Sequence, residues 1–439
     1  MKTLIANALV VPMTKEGYSL RADIGIDGKH IAFVGKADAS FQPDRVIDAS
    51  SFLAMPALVN AHTHLSMGLM RNYKDDMPTL QEWLAEIFPI EDLLDERNIL
   101  FASRLGIMES IQSGVTTVAD MYFNQHSTAK AILEGGIRAS IGITLFGDLR
   151  QSKERVKKSE TLLRDFRDHP DNRIRFDYAP HAIYTCPEET YRYAHALAKD
   201  HGAILHTHLS ETRKEMEDSI STFGDTPLSY LSRIGCLADI KSLLAHCVHL
   251  TEEELIILKD HNATIVHNPS SNTKLSSGLA PVSKFLEQGL QVALGTDGAS
   301  SNNNLNMFEE MHIASLIGRV YTPTNTKLTP YQVLSMATTN GAKALGLDAR
   351  IGRLEAGMEA DILLLDLQKS HLTPLNDPFS ALVYAAQASD VDTLFCQGKM
   401  LMQNRKMLTL KEEDVLRDVN SCWADVLSRK QGYVHQERL

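Results

Sequence analysis

Residues 53–64, LAMPALVNAHTH, form an apolar run that ends in two histidines. A short apolar run of this kind is typical of a buried strand. Because side chains alternate between the two faces of a strand, His62 and His64 point to the same side. A lone HxH motif is often only a pair of solvated or hydrogen-bonded histidines, but this one lies at the end of a predicted strand. The segment therefore predicts a strand that presents two candidate metal ligands.

Further along the chain, apolar runs alternate with longer segments of helical period, which is the pattern of repeated βα units around a parallel sheet. Eight such strands in this length favour a closed barrel over an open doubly wound sheet. No glycine-rich dinucleotide motif follows any of them. The eight predicted strands span residues 53–64, 115–123, 137–146, 174–181, 203–211, 243–250, 263–271 and 292–298.

Residues with ligand chemistry occupy the carboxyl ends of these predicted strands. A barrel places its active site at that end, so the side chains are expected to meet. Chance placement of the 17 histidines would not favour one end of so many strands. The residues concerned are His62, His64, His181, His208, Glu211, His246 and Asp297.

The two ends of the chain have a different, turn-rich pattern. Short alternating segments precede residue 55, with an Asp27-Gly28 hairpin signal, and similar segments occur at 351–366 and 391–402. The expected fold class is therefore α/β: a (β/α)8 TIM barrel at 56–350 with a small β-sandwich. The sandwich is formed from the N-terminal segment 1–55 and the C-terminal segment 351–439, whose last part, from residue 409, has a helical period.

Two further motifs complete a candidate metal site. A second HxH motif, His206-Thr207-His208, ends the fifth strand, and His208 is the expected ligand, with His206 packed below as a supporting donor. Asp297 stands in LGTDG, where an isolated TDG would be interpreted as a turn or helix cap. Together with His62 and His64 these residues suit Zn²⁺, with Fe²⁺ or Mn²⁺ also compatible.

One metal ion, rather than two, is expected. Two-metal hydrolases on this scaffold often use a carbamylated lysine at the end of the fourth strand, but FDYAPHAIY has His181 and no lysine. A bound ion lowers the pKa of water toward about 7 and so provides hydroxide at neutral pH.

Proton transfer needs a further group, and Glu211, three residues after His208, is the candidate shuttle. The alternative for Glu211 is an acid in the first turn of a helix. His246 in AHCVHL is expected to orient the attacking water.

The segments PALVNAHTHLSM, HTHLSE, AHCVHL, HNPSSNTKLSSGLAPV and LGTDGASSNNNLNM resemble, in order and spacing, the mononuclear deaminase branch of the amidohydrolase superfamily. The resemblance covers nearly the whole chain. Within that branch the chain most resembles the 5-methylthioadenosine/S-adenosylhomocysteine deaminases, with s-triazine hydrolases and guanine or pterin deaminases as relatives.

The resemblance also implies residue roles. His62, His64, His208 and Asp297 would bind the metal, and Asp297 would also accept a proton from water. Glu211 would be the shuttle and would contact the substrate, and His246 would be the partner of the water. The implied substrate contacts are His181 to the heterocycle, Trp83 as an apolar wall, Glu91 to ribose hydroxyls, and Arg138 and Arg150 to an amino-acid tail. An ordinary surface charge is the alternative for each arginine.

Composition restricts the partners and the compartment. The net charge of −11 without basic runs argues against nucleic-acid or membrane binding, and a small-molecule substrate is expected. The five scattered cysteines, with no CxxC pair, favour a reducing compartment, so a cytoplasmic protein is expected. A homo-oligomer is implied by the resemblance alone.

The leading functional hypothesis is hydrolytic deamination of a 5′-thio-substituted adenosine to its inosine analogue and ammonia. The alternatives are an s-triazine chlorohydrolase or aminohydrolase and a guanine- or pterin-type deaminase. A non-enzymatic alternative is an inactive barrel scaffold, although such scaffolds usually lose ligands and none is missing here.

Overall fold

The computed structural model describes residues 1–167, 169, 172–320 and 327–436. Its strands are β1 (Lys2–Val10), β2 (Leu20–Asp27), β3 (His30–Gly35), β4 (Arg45–Asp48), β5 (Phe52–Pro56), β6 (Leu58–His64), β7 (Val115–Tyr122), β8 (Arg138–Leu145), β9 (Ile174–Pro180), β10 (Ile204–Leu209), β11 (Lys241–His246), β12 (Asn262–His267), β13 (Gln291–Leu294), β14 (Asp297–Gly298), β15 (Ile362–Asp366), β16 (Val391–Cys396), β17 (Lys399–Gln403) and β18 (Lys406–Met407).

The helices alternate with the strands through the middle of the chain, as the βα pattern predicts. They are α1 (Leu80–Glu91), α2 (Glu96–Gln112), α3 (Gln125–Gly135), α4 (Leu149–Arg167), α5 (Glu188–His201), α6 (Arg213–Phe223), α7 (Pro227–Arg233), α8 (Glu252–Lys259), α9 (Pro269–Lys274), α10 (Val282–Glu287), α11 (Met307–Val320), α12 (Pro330–Met336), α13 (Thr339–Ala344), α14 (Pro378–Tyr384) and α15 (Glu412–Gln436).

One of the two nine-stranded sheets is parallel and of the TIM-barrel-like class. Its order is β13-β12-β11-β10-β9-β8-β7-β6-β14, so the chain adds neighbouring strands in sequence. Strands such as β7 and β8 are buried at every residue, which explains their nearly continuous apolar sequences. Each predicted middle run contains a strand of this sheet, and the shared carboxyl ends form one rim.

Gly295 lies between β13 and β14 and allows a close approach to β6. A Cβ at this position would lie 2.9 Å from the Cβ of His62 and 2.8 Å from its carbonyl oxygen. Because only glycine lacks that atom, β14 can pair with β6 and bring Asp297 beside His62.

The first predicted strand is in fact two strands. Residues 52–56 form β5, which pairs with β1 and β15, whereas β6 starts at Leu58 and pairs with β7. The chain passes between the sheets at Ala57, whose N–H donates to the carbonyl of Asp361. An unbroken apolar sequence does not reveal that its two halves belong to different sheets.

The two chain ends form one mixed sheet with the order β18-β17-β16-β15-β5-β1-β2-β3, and β4 pairs with β1. The predicted hairpin turns at Gly28 and Lys29, with Asp27 opposite His30. Buried residues from both ends, including Ile5, Ile24, Ile362 and Phe395, share one hydrophobic core. The expectation that the ends combine is confirmed.

The C-terminal helix α15 packs on the same chain, beside the elements that surround the rim. Val415, Val419, Cys422 and Val426 are buried at a helical spacing, and the last three join the apolar cluster of α1 and α2. No helix in the described ranges combines the length and hydropathy needed to cross a membrane.

Candidate active site

The four predicted metal ligands converge at the rim of the parallel sheet. His62 and His64 end β6, His208 lies in β10 and Asp297 begins β14. One potential ligand atom from each residue lies within 4.8 Å of all the others. The structure therefore brings together three imidazoles and one carboxylate from distant parts of the chain.

The distances between these atoms fit one metal ion. Nε2 of His62 and of His64 lie 3.4 and 3.1 Å from Oδ1 of Asp297, and Nε2 of His208 lies 3.3 Å from that of His64. A tetrahedral zinc site with bonds of about 2.0–2.1 Å separates its ligand atoms by about 3.3–3.4 Å. Nε2 of His62 is buried without a hydrogen-bond partner among the described residues. These residues fit a divalent metal ion.

The other ring nitrogen of each candidate ligand is held by a neighbour, which aims Nε2 at the centre of the cluster. The predicted role of His206 as a supporting group below the site fits this arrangement. The Nδ1 partners are Nε2 of His206 for His62 (2.9 Å), the carbonyl oxygen of Met121 for His64, and the carbonyl oxygen of His181 for His208 (2.8 Å).

The protonation states of His62, His208 and Asp297 suit metal binding. Burial lowers the pKa of His62 to about 4 and that of His208 well below its usual value, so both rings are neutral at pH 7. Burial acts to raise the pKa of Asp297, but the interactions of its carboxylate with the nearby His62 and His64 rings outweigh burial and bring that pKa well below 3.8. Oδ2 of Asp297 accepts hydrogen bonds from Ser271 (2.5 Å) and Ser301 (2.7 Å).

Glu211 and His246 lie together beside the cluster. Oε2 of Glu211 is 3.8 Å from Nε2 of His246, and its Oε1 accepts a hydrogen bond from Ser277 at 2.8 Å. Nδ1 of His246 contacts Oδ1 of Asn272 at 2.7 Å. Burial is the main cause that raises the pKa of Glu211 above 4.5, so its carboxyl can exchange a proton closer to neutral pH.

Glu215 holds the turn that carries Glu211. Its carboxylate accepts the backbone N–H groups of Ser210 (3.0 Å) and Glu211 (2.7 Å). Ser210 has a φ of 51°, an uncommon conformation that these hydrogen bonds help to stabilise. Glu215 is buried, and burial raises its pKa to about 7.

A cleft of about 660 Å³ opens above the cluster. Its walls are mainly apolar and include Trp83 and Phe88 from α1 and Phe146 after β8. A mainly apolar lining with a few polar groups is typical of small-molecule sites. Trp83 is buried, as expected for an apolar wall.

Glu91 and His181 bring polar groups to the same cleft. Oε1 of Glu91 accepts a hydrogen bond from the hydroxyl of Tyr122 at 2.6 Å, and burial raises the pKa of Glu91 to about 7. His181 lies beside His208, with ring centroids 4.7 Å apart, and its Nδ1 contacts Oγ1 of Thr185 at 2.9 Å. Burial lowers the pKa of His181 to about 3, so the ring is a neutral hydrogen-bonding group at pH 7.

The sequence pattern of the amidohydrolase family matches residues 53–401 of this chain. The chain belongs to the amidohydrolase family. This amidohydrolase is 41% identical over 433 residues to a 5-methylthioadenosine/S-adenosylhomocysteine deaminase of Thermoanaerobacter pseudethanolicus, covering 98% of this chain and 100% of the relative. It is 42% identical over 379 residues to a 5′-deoxyadenosine deaminase of Methanosphaera stadtmanae, covering 85% and 88% of the two chains.

Solved structures give the same family relationship. An adenosine deaminase from Xanthomonas campestris with bound zinc has a TM-score of 0.92 at 30% identity, covering 97% of this amidohydrolase and 98% of that chain. An atrazine chlorohydrolase from Arthrobacter aurescens complexed with zinc has a TM-score of 0.89 at 25% identity, covering 96% and 100%. The family assignment makes the protein a hydrolase of carbon–nitrogen bonds with a metal-binding site, as the sequence predicted.

Arg138 of this amidohydrolase lies away from the cleft. The expectation that it contacts the amino-acid tail of a substrate is therefore wrong. It is the first residue of β8, at the opposite end of the strand from the rim, and its side chain is 3% exposed. Its guanidinium donates to Thr117 (2.9 Å), to Asp361 (2.7 Å) and to Glu359. These contacts join the parallel sheet to the terminal sheet.

Arg150 lies near the rim but not in the lining of the cleft that the structure describes. It is in the first turn of α4, its side chain is 72% exposed, and it forms an ion pair with Glu154 at 3.3 Å. This position matches the surface charge that was the alternative for Arg150.

Sequence reasoning missed several groups that hold the site residues in place. Three are serines, Ser271 and Ser301 on Asp297 and Ser277 on Glu211, and the others are Asn272 and Glu215. The signal was present in HNPSSNTKLSSG and DGASS, where hydroxyl and amide side chains follow strand ends. Such segments are also common in ordinary turns, so their partners became visible only in the fold.

Proposed function

We propose that the protein is a hydrolytic deaminase that converts a 5′-thio-substituted adenosine to its inosine analogue and ammonia. The observation that carries the proposal is the position of the Glu211 carboxyl beside the cluster of three histidines and Asp297, at the floor of a cleft. The full-length similarity to deaminases of 5-methylthioadenosine, S-adenosylhomocysteine and 5′-deoxyadenosine supports the choice of nucleoside.

The metal is proposed to be a single Zn²⁺ ion, with Fe²⁺ or Mn²⁺ compatible with the same ligands. His62, His64, His208 and Asp297 would hold it. When bound, such a cation supplies a Lewis acid that makes water a nucleophile at neutral pH.

Deamination adds water to C6 of adenine, protonates ring N1 and releases the 6-amino group as ammonia. The Glu211 carboxyl is proposed to carry the protons: it takes one from water and gives it to N1, and it then passes the second water proton, which Asp297 accepts first, to the leaving amine. His246 orients the water through the nitrogen that faces Glu211, while Asn272 fixes the opposite side of the ring. Asp297 accepts a proton from the water through its buried carboxylate.

The cleft supplies recognition groups for a nucleoside. His181 is proposed to hydrogen-bond the heterocycle, and Trp83 to cover its apolar face. Glu91 is proposed to accept hydrogen bonds from the ribose hydroxyls, since its carboxylate already accepts one from Tyr122.

The finer architecture is also a proposal. We infer a closed (β/α)8 barrel in which β13 and β14 act as one interrupted strand, because β13 pairs with β12 and β14 with β6. The proposed domains are the terminal sheet, 1–55 and 351–439, and the barrel, 56–350.

A cytoplasmic location is supported by the five free cysteines, and a homo-oligomer by family resemblance.

A substrate panel tests the proposal. Metal-replete protein is incubated with methylthioadenosine, S-adenosylhomocysteine, adenosine, guanine and a chlorotriazine while ammonia and chloride are measured. We expect ammonia from the 5′-substituted adenosines with a kcat/KM on the order of 10⁴ M⁻¹s⁻¹ or higher. Chloride from the triazine, with no ammonia from any adenosine, would refute it in favour of the triazine alternative. No turnover and no bound metal would favour the scaffold alternative.

A further inference from the structure

The helix α1 forms one wall of the cleft. Trp83, Phe88 and Glu91 from this helix line the cleft, and Glu91 is the last residue of the helix. Pro89 lies in the last turn and has no N–H to donate to the carbonyl of Ala85, so this turn lacks one of the hydrogen bonds that hold an α-helix. The position of Glu91 therefore depends in part on contacts from outside α1.

Arg429 of the C-terminal helix α15 contacts the turn that directly follows Glu91. Its guanidinium donates to the carbonyl of Leu93 at 2.7 Å and to Oδ1 of Asn98 at 2.9 Å. Leu93 belongs to the turn at the end of α1, since its N–H donates to the carbonyl of Ile90. Asn98 belongs to the capping box at the start of α2. One guanidinium thus joins the end of α1 to the beginning of α2.

The next residue of α15 contacts the segment that precedes α1. Nζ of Lys430 donates to the hydroxyl of Tyr73 at 2.5 Å and lies 5.2 Å from the centroid of the same ring. The ring of Tyr73 also lies 5.4 Å from that of Trp423 between centroids. Between these contacts, apolar residues of α15 and α1 share one buried cluster. The helix α15 therefore holds both ends of the helix that carries Glu91.

Arg429 differs from an ordinary surface arginine of the same helix. Its side chain is 33% exposed, and it forms ion pairs with Asp425 at 2.8 Å and with Asp95, which precedes α2, at 3.7 Å. Arg417, in the first half of α15, is 66% exposed, and its ion pairs are with acidic residues of its own helix. Arg429 thus links α15 to another part of the fold, and Arg417 provides a matched control.

We propose that Arg429 is a positioning residue for ribose recognition: through the carbonyl of Leu93 it fixes the turn that sets the position of the Glu91 carboxyl. A hydrogen bond from a charged donor is stronger than one between neutral groups, and a small displacement of a recognition group weakens binding severely. The inference rests on the proposed function, in which Glu91 accepts the ribose hydroxyls. It makes α15 part of substrate recognition, although the described lining of the cleft contains no residue of α15.

The kinetic test compares methylthioadenosine with its 2′,3′-dideoxy analogue, which lacks the hydroxyls assigned to Glu91. kcat/KM is measured for both nucleosides with wild type, Arg429→Met and Arg429→Lys. Arg429→Met should lower the ratio of methylthioadenosine to the analogue about 5- to 20-fold, through KM for methylthioadenosine. Arg429→Lys should lower it less, because an ammonium group can still donate to the carbonyl of Leu93.

A double-mutant cycle tests whether the effect passes through Glu91. Glu91→Ala removes the carboxyl and should itself lower the ratio. In the Glu91→Ala background, Arg429→Met should change the ratio by less than about twofold, because no carboxyl remains to be displaced. An additive effect would instead show that Arg429 acts on the nucleoside by another route.

Hydrogen exchange measured by mass spectrometry reports the contact with the turn directly. Peptides that cover residues 84–95 should exchange about fivefold faster in Arg429→Met than in wild type, because the turn opens more often. Arg417→Met removes the same charge from α15 and should leave both the exchange and the kinetic ratio within about twofold of wild type.

Three results would overturn the proposal. They are unchanged exchange of residues 84–95 in Arg429→Met, equal losses of kcat/KM for both nucleosides, and an undiminished effect of Arg429→Met in the Glu91→Ala background. Absence of turnover of methylthioadenosine by wild type would instead refute the proposed function, and the ribose role with it. Hydrogen exchange would then still decide whether Arg429 holds the turn.

Discussion

Replacing Arg138 with methionine should destabilise the fold without changing substrate selectivity. The guanidinium is buried between Thr117, Asp361 and Glu359, and it joins β8 to the segment that leads into β15. Methionine keeps an unbranched apolar stem but removes the guanidinium, with its charge and all of its hydrogen bonds.

Glu359 and Asp361, the two acidic partners of Arg138, retain different interactions when Arg138 is replaced. Glu359 retains an ion pair with Arg350 at 2.7 Å, whereas Asp361 loses its only cation among the described residues. It keeps three hydrogen-bond donors, which are the Thr116 hydroxyl, the Gln397 N–H and the Cys396 thiol. One buried carboxylate, with a side chain 2% exposed, is thus left unpaired. Breaking a buried pair in this way costs about 3–5 kcal/mol, and urea unfolding followed by circular dichroism should show about 3 kcal/mol of it.

The loss should also depend on pH. In wild type, burial acts to raise the pKa of Asp361, but the charge and hydrogen bonds of Arg138 outweigh it, so the pKa is lowered. The stability from this carboxylate is present above its unfolded pKa of about 3.9 and is lost as pH falls through the lower folded value. Without Arg138, only hydrogen bonds such as those from Gln397 and Thr116 oppose the effect of burial on the pKa of Asp361, and protonation relieves the unpaired charge. The difference in unfolding free energy from wild type should therefore narrow between pH 7 and 5.

A double variant provides the control. Adding Asp361→Leu to Arg138→Met removes the unpaired charge and should recover at least half of the lost unfolding free energy. The kcat/KM ratio of S-adenosylhomocysteine to methylthioadenosine should equal that of wild type in both variants. An unfolding free energy within 1 kcal/mol of wild type, or a selective loss of S-adenosylhomocysteine turnover, would contradict the structural role and restore the substrate contact.

Three other predictions concern the site itself. Glu211→Gln should lower kcat by about 10² to 10⁴ while metal content, measured by mass spectrometry, stays at the wild-type level; near-normal kcat would remove Glu211 as the proton carrier. His208→Ala should lose the metal. Chelation of wild type should lower its melting temperature, and added Zn²⁺ should restore that temperature, whereas added Zn²⁺ should not raise the melting temperature of His208→Ala. Because burial raises the pKa of Glu91 to about 7 and the ionised form accepts ribose hydroxyls, KM for methylthioadenosine should rise as pH falls below 7, and Glu91→Gln should flatten that dependence.

The metal ligands could be predicted because strand geometry constrains them strongly. Period-two alternation places His62 and His64 on one face, and parallel strands in chain order bring the ends of β6, β10 and β14 to one rim. Only topology is needed to bring together His208 and Asp297, which are far apart in sequence. The confirmed strand runs and the candidate metal site follow from the same regularity.

The groups that orient these ligands could not be predicted in the same way. Ser277 and Ser301 lie outside the helices and strands, where no period fixes the direction of a side chain, and Ser271 lies in α9, a helix of only six residues. Their partners depend on how α9 and the loop after β14 pack over the rim. The division of residues 53–64 between two sheets escaped prediction for a related reason, since it depends on the pairing of β5 with β15.

Arg138 shows where the strand topology and the family resemblance lead to different predictions. Arg138 opens a strand, and a barrel has its site at the opposite strand ends, so strand position alone predicts that this residue lies away from the substrate. The resemblance suggested the reverse, and the contacts with Asp361 and Glu359 agree with the strand position. The same rule favours residues that follow β7 and β8, such as Phe123, and the first turns of the next helix.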